Sequence, residues 1–193
     1  SDWQEIHVME IATKKKMKDV LKWVKFSGAE WDENGFYYSR YPEPQGGTEL
    51  SAANEFHAVY YHKLGDDQAN DKLVYNNPDK PKMYHFVSIT EDKKYLCLYA
   101  STGTDGFETY YKDLSEANGK FKNIFSGFKN KSSVVGNEGD KLFVITDIDA
   151  PKYRLIEVDL KKPMDSEWKD IIPESEDLLR GVSTGGGKLW ANY

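Results

Sequence analysis

The sequence predicts an all-β chain, a partial β-propeller built of four-stranded antiparallel blades. Three observations carry this reading. Short runs rich in Tyr, Val, Leu and Ile are separated by Gly, Asn and Asp, and no helical period persists beyond two turns. The tight turns that precede these runs recur: Tyr95, Leu142 and Leu189, each just after such a turn, are spaced 47 residues apart. Phe36, in the equivalent place one unit earlier, precedes Tyr95 by 59 residues, so that unit carries an insertion of about a dozen residues.

The expected strands, in order, are Glu5 to Ile11, Gly35 to Tyr41, Ala58 to Leu64, Tyr95 to Ala100, Thr109 to Leu114, Leu142 to Asp147, Tyr153 to Leu160 and Leu189 to Tyr193. Outer fourth strands are expected at Lys72 to Tyr75, Phe121 to Phe125 and Trp168 to Ile172. The turns that set the repeat are Asp32 to Gly35, Thr90 to Lys94, Asn137 to Lys141 and Thr184 to Lys188, each rich in residues that favour turns. Counting four strands per blade gives complete blades over roughly 28–79, 83–127 and 132–174, with half blades at 1–27 and 178–193. A β-sandwich would not produce a 47-residue repeat. Half-built blades expose strand edges, so self-association through those edges is expected.

Composition removes several function classes. Net charge is −6 and the lysines are scattered, which offers no footprint for a phosphate backbone, so no nucleic-acid partner is expected. The densest basic cluster, Lys14 to Lys16 with Lys18, reads as a solvated hairpin turn. No apolar run reaches the ~20 residues needed to span a bilayer, so no membrane partner is expected either. Cys97 is the single cysteine, which excludes an internal disulfide and a cysteine-rich metal site. His7, His57, His62 and His85 lie on separate segments without ligand spacing and read as structural histidines; no metal and no cofactor is expected. Asp66, Asp67 and Asp71 lack the alternate-position oxygens of a calcium loop and read as a solvated turn. Asn130-Lys131-Ser132 fits a glycosylation acceptor, with no secretory context beside it.

Gly181-Val182-Ser183-Thr184-Gly185 matches the G-x-S-x-G nucleophile elbow. That motif needs a helix after the serine and an acid and a histidine later in the chain, whereas only ten residues, none of them Asp or His, follow Ser183. The same residues coincide with the fourth repeat turn, so a turn is expected, and no catalytic residue.

The segment Trp23-Val24-Lys25-Phe26-Ser27-Gly28-Ala29-Glu30-Trp31, followed by Gly35-Phe36-Tyr37-Tyr38-Ser39-Arg40-Tyr41-Pro42, closely resembles the propeller of the prolyl oligopeptidase family of serine peptidases. Tyr60 to Gly65 with Gln68, Asp71 and Leu73, then Asp79 to Lys82, Asp92, Tyr95, Asn137 to Gly139 and Tyr153 to Ile156 follow the family pattern in order. The resemblance implies a hydrolase domain elsewhere, capped by a seven-bladed propeller, and cleavage of short peptides on the carboxyl side of proline. These 193 residues match the propeller's middle, with the hydrolase domain and its triad expected outside them.

The resemblance also implies a substrate-pocket wall on the propeller face that meets the hydrolase domain. Phe26 matches one wall position with Lys25 and Ser27 beside it. Tyr84 and Thr104 stand at two more, where the animal enzymes carry Met and Cys. For Phe26 a ring packed between blades stays open as the other reading. The extra residues of the first complete blade, Glu43 to Glu55, form a long polar connection on this same face and read as a gating loop, with Glu43, Gly46, Gly47, Asn54 and Glu55 as its candidate residues. The implied partners are short proline-containing peptides and the hydrolase domain; a cytoplasmic or periplasmic setting is left open. A stand-alone propeller-like module that binds a protein or peptide is the alternative function.

Overall fold

The computed structural model describes residues 2–48, 51, 53–163 and 167–193. It divides into two units, Ser1–Val87 and Ser88–Tyr193. Both are built almost wholly of antiparallel strands, in open sheets.

In the first unit the strands are β1 (Gln4–Met9), β2 (Lys16–Val24), β3 (Glu30–Trp31), β4 (Gly35–Arg40), β5 (Ala58–Lys63) and β6 (Lys72–Tyr75), with a 3₁₀ turn at Gln68–Asn70. They follow the order β1-β2-β4-β5-β6, with β3 paired to β4. β4 is the centre of this sheet: Phe36 to Ser39 are all buried, and aromatic side chains suit a pleated surface covered on both faces. Its register with β5 runs without a break from Gly35↔Lys63 to Arg40↔Ala58. β1 and β2 form their own ladder and reach β4 at one pair, Val24↔Arg40. Val8, Leu21, Val24, Phe36 and Tyr38 make the core here.

β7 (Tyr84–Ile89) spans the division between the units. In the second unit β8 (Tyr95–Ser101), β9 (Glu108–Asp113) and β10 (Lys122–Phe125) continue a sheet ordered β10-β9-β8-β7. A second sheet takes β11 (Ser132–Glu138), β12 (Lys141–Thr146), β13 (Arg154–Asp159) and β14 (Lys169–Ile172) in chain order, and β15 (Gly181–Gly185) pairs with β16 (Lys188–Asn192). β8 is buried along its whole length, Cys97 included. Tyr95, Tyr111, Phe125, Leu142, Val144, Ile156 and Val158 form the core. Burying one such side chain contributes about 1.5–3 kcal/mol.

The four repeat turns join β3 to β4, β7 to β8, β11 to β12 and β15 to β16. Asp32 N–H donates to the Gly35 carbonyl at 2.9 Å. Thr90 Oγ1 accepts from Tyr95 N–H at 3.0 Å and donates to Asp92 Oδ1 at 2.7 Å. Gly139 at φ 58° and Gly186 and Gly187 at φ 58° and 68° take left-handed backbone, which glycine adopts without a Cβ clash.

All eleven expected strands are present, with ends shifted by one or two residues. Among the described residues five more are present, β2, β3, β7, β11 and β15; β7 carries an aromatic and β-branched run, while the other four have no strong sequence signal. β2 reads as charged, and its alternation of exposed lysines with buried Asp19, Leu21 and Val24 emerges only from burial. The basic cluster straddles this boundary: Lys14 sits in the turn at φ 57°, while Lys16 and Lys18 are exposed on β2.

Candidate functional site

The connection after β2 is short and tightly held. Ser27 Oγ accepts from Ser39 N–H at 2.7 Å, and Tyr41 N–H donates to the Trp23 carbonyl at 3.0 Å, so Phe26 comes to lie beside the end of β4. Phe26 has φ 51°, an unfavourable conformation for an aromatic residue, and the residue is 59% exposed. Its neighbour is Tyr84, the first residue of β7, with ring centroids 5.4 Å apart and planes tilted by 39°. Thr104 belongs to the second unit, exposed in the bend between β8 and β9.

Lys25 anchors one side of this pair. Its side chain is buried, and Nζ sits 4.0 Å from the Trp3 ring centroid, 3.2 Å from Asp2 Oδ1 and 3.4 Å from Asn54 Oδ1. That last contact ties the far end of the Glu43 to Glu55 connection to the residue before Phe26. The connection turns at Gly46 and Gly47, with Gly47 at φ 86° and Thr48 N–H donating to the Gln45 carbonyl at 3.0 Å. Glu43 and Asn54 are exposed and Glu55 half-buried; Glu49, Leu50 and Ala52 lie outside the described residues.

Behind the pair lie two histidines that the sequence places in no motif. His57 and His85 are both buried, with rings stacked 6.2 Å apart. Tyr41 packs on His57 at 4.4 Å and Tyr75 on His85 at 5.0 Å. Burial holds both imidazoles below their ordinary value, His57 to about 4.

His62 has the opposite surroundings. Its Nδ1 meets Asp71 Oδ1 at 2.7 Å and its Nε2 meets Asp19 Oδ1 at 3.0 Å, all three side chains being buried. Burial works against the imidazolium, but the hydrogen bonds to Asp19 and Asp71 outweigh it and raise the His62 pKa. Tyr38 Oη donates to Asp71 Oδ2 at 2.6 Å, and Gly65 N–H donates to Asp19 Oδ1 at 2.5 Å. Asp71 is therefore not part of a solvated turn, as its position beside Asp66 and Asp67 suggests; it is a buried carboxyl group whose partner is nine residues back on β5.

In the second unit Ser183 pairs with Trp190 inside the β15–β16 hairpin. The strand runs on through Gly185 and turns back at Gly186, so the motif sits in a hairpin and not at a strand-to-helix elbow.

A family model described as the prolyl oligopeptidase N-terminal β-propeller domain matches residues 1–193. The chain belongs to that family. Among curated relatives it is 39% identical over 194 residues to the prolyl endopeptidase of Elizabethkingia meningoseptica, covering 100% of this chain and 27% of the relative. It is 32% identical over 171 residues to prolyl oligopeptidase A of Amanita bisporigera, covering 82% and 22%. The propeller chain thus spans about a quarter of the length of the relatives it matches. One similar solved structure comes from a comparison of two prolyl endopeptidases and the role of inter-domain dynamics in their catalysis and specificity (TM-score 0.84, 28% identity, covering 99% of this chain and 27% of that one). Another is prolyl oligopeptidase B from Galerina marginata bound to a 35mer hydrolysis and macrocyclization substrate (TM-score 0.86, 26% identity, covering 98% and 29%).

Proposed function

We propose that this propeller chain is the cap and gate of a prolyl oligopeptidase-type serine endopeptidase that cleaves short peptides after proline, with the catalytic triad outside these 193 residues. The observation that carries this reading is the Phe26–Tyr84 pair, an aromatic surface 59% exposed at Phe26 and kept there on strained backbone. Strain of this kind persists where the surroundings over-determine it, and it clusters at ligand clamps. An exposed aromatic face suits the apolar residue preceding a substrate proline. The Glu43 to Glu55 connection, tied through Asn54 to Lys25, supplies the gate beside it.

The test is a chimera in which this chain replaces the matching segment of the Elizabethkingia prolyl endopeptidase, to which it is 39% identical. Phe26→Ala in that chimera should raise KM for a Gly-Pro-linked chromogenic peptide about tenfold with little change in kcat, the signature of lost ground-state binding. An unchanged KM would remove the wall reading. The isolated chain should not hydrolyse the same peptide; turnover blocked by a serine-directed inhibitor would refute the placement of the triad.

A further inference from the structure

One imidazole is hydrogen-bonded to the backbone beside each member of the aromatic pair. The backbone N–H of His85 points at His57 Nδ1 at 2.9 Å, and because an amide N–H only donates, Nδ1 must be the unprotonated nitrogen. His57 Nε2 therefore carries the hydrogen and donates to the Lys25 carbonyl at 2.9 Å. The Lys25 carbonyl belongs to the peptide unit that enters Phe26, and the His85 N–H to the unit that leaves Tyr84. One ring thus bridges the two peptide units that present the pair. His85 closes the arrangement from the other side: its Nδ1 lies 2.8 Å from the His57 carbonyl and donates to it, leaving Nε2 buried with no hydrogen-bond partner. A lone pair tolerates that position far better than a proton would.

We propose that His57 is a positioning residue: in its neutral Nε2–H form it holds Phe26 and Tyr84 as a fixed pair, and protonation at Nδ1, which removes the acceptor for the His85 N–H, releases them. Its bearing on peptide access rests on the pocket-wall reading; the positioning itself does not.

The groups facing the two rings favour the neutral form. The Tyr41 ring covers His57, and the Tyr75 ring covers His85. Lys25 offers His57 its carbonyl, while its Nζ is engaged with Asp2, Asn54 and the Trp3 ring. Among the described residues no carboxylate pairs with either imidazole, in contrast to His62 between Asp19 and Asp71. Burial first, and the neighbouring His85 in addition, lower the His57 value to about 4 against the pull of the Lys25 carbonyl.

The experiment is nitrogen-15 NMR on the 193-residue chain and two variants. At pH 7 the wild type should show the Nε2–H tautomer at His57 and ring-to-ring cross-peaks between Phe26 and Tyr84. Those cross-peaks should fade across the pH range centred on about 4. His57→Gln, whose amide offers one donor and one acceptor, should keep them across that range. His57→Leu should lose them at every pH while the β4 and β5 amides of the same unit stay protected. The Nδ1–H tautomer, cross-peaks persisting in folded His57→Leu, or wild type and His57→Gln losing them at the same pH would each overturn the proposal. Should His57→Leu fail to fold, the comparison of wild type with His57→Gln still decides. An unchanged KM in the Phe26→Ala chimera would remove the wall reading and leave this result standing.

Discussion

Phe26 combines a positive φ of 51° with an exposed ring, so its contribution to stability is small or negative. A left-handed conformation costs a non-glycine residue about 1–2 kcal/mol. The contact with Tyr84 returns about 0.5–1.5 kcal/mol. Phe26→Gly should therefore leave the free energy of urea unfolding within about 1 kcal/mol of wild type, or raise it, while still raising KM in the chimera; a large loss of stability would mean the ring serves packing. Cys97 is the contrasting case. Fully buried in β8, its thiol is pushed up by burial to about 12, despite the counter-effect of Ser88. A thiol reagent should leave Cys97 untouched in the native chain and modify it at the rate of unfolding; rapid native labelling would contradict the packing of β8.

At the scale of elements, the Asp19–His62–Asp71 chain joins β2, β5 and the segment after the 3₁₀ turn. Gln68 extends it, with Nε2 donating to Tyr38 Oη at 3.1 Å and to the Lys22 carbonyl at 3.1 Å. Removing the imidazole leaves two buried carboxylates without their cation, so His62→Ala should cost about 3–5 kcal/mol in urea unfolding. A loss below about 1 kcal/mol would show that water reaches the two acids. The same strand imposes a glycine on its neighbour: a Cβ at Gly35 would run into the His62 backbone carbonyl. Gly35→Ala should cost about 3 kcal/mol through forced separation of β4 and β5, read by the same unfolding curve.

Across the whole molecule the histidines act on stability in opposite pH windows. His57 and His85 bind fewer protons folded than unfolded, so their contribution is full above the ordinary histidine value near 6.5 and is lost as pH falls, for His57 down to about 4. The His57 part is on the order of 3 kcal/mol, from its displacement to about 4. His62 binds its proton more tightly folded, so its contribution is full below about 6.5 and is lost as pH rises through the raised folded value. Stability measured against pH should lose the larger part of its slope between pH 6.5 and 4 in His57→Gln, the His85 part remaining, and should lose its slope above pH 6.5 in His62→Gln. Both slopes surviving would place the titration elsewhere. At the same scale, among the described residues β16 pairs with β15 alone and carries Trp190 at 60% exposure. An open strand edge with an exposed indole should drive concentration-dependent association of this chain, weakened by Trp190→Lys; light scattering that finds a monomer at every concentration would refute it.

The sequence by itself determined the β repeat, the four turns and the family likeness, because these depend on neighbours along the chain. The Asp92 and Thr90 hydrogen bonds that shape one turn span two to five residues, and such local chemistry is readable from residue types. Phe26 and Tyr84 were also legible as candidates, through the residues around them. Only the tertiary structure decided what holds them. His57 finds its partner 28 residues away and Asp19 finds His62 across 43, distances set by strand register, which residue spacing does not encode. Strands β2, β11 and β15 were unreadable for the same reason: lysine, serine and glycine have weak strand preference, and pairing with a neighbour makes them strands. Two histidines without a motif take opposite characters, proton uptake being disfavoured at His57 and favoured at His62, because folding surrounds one with backbone and aromatic rings and the other with two carboxylates.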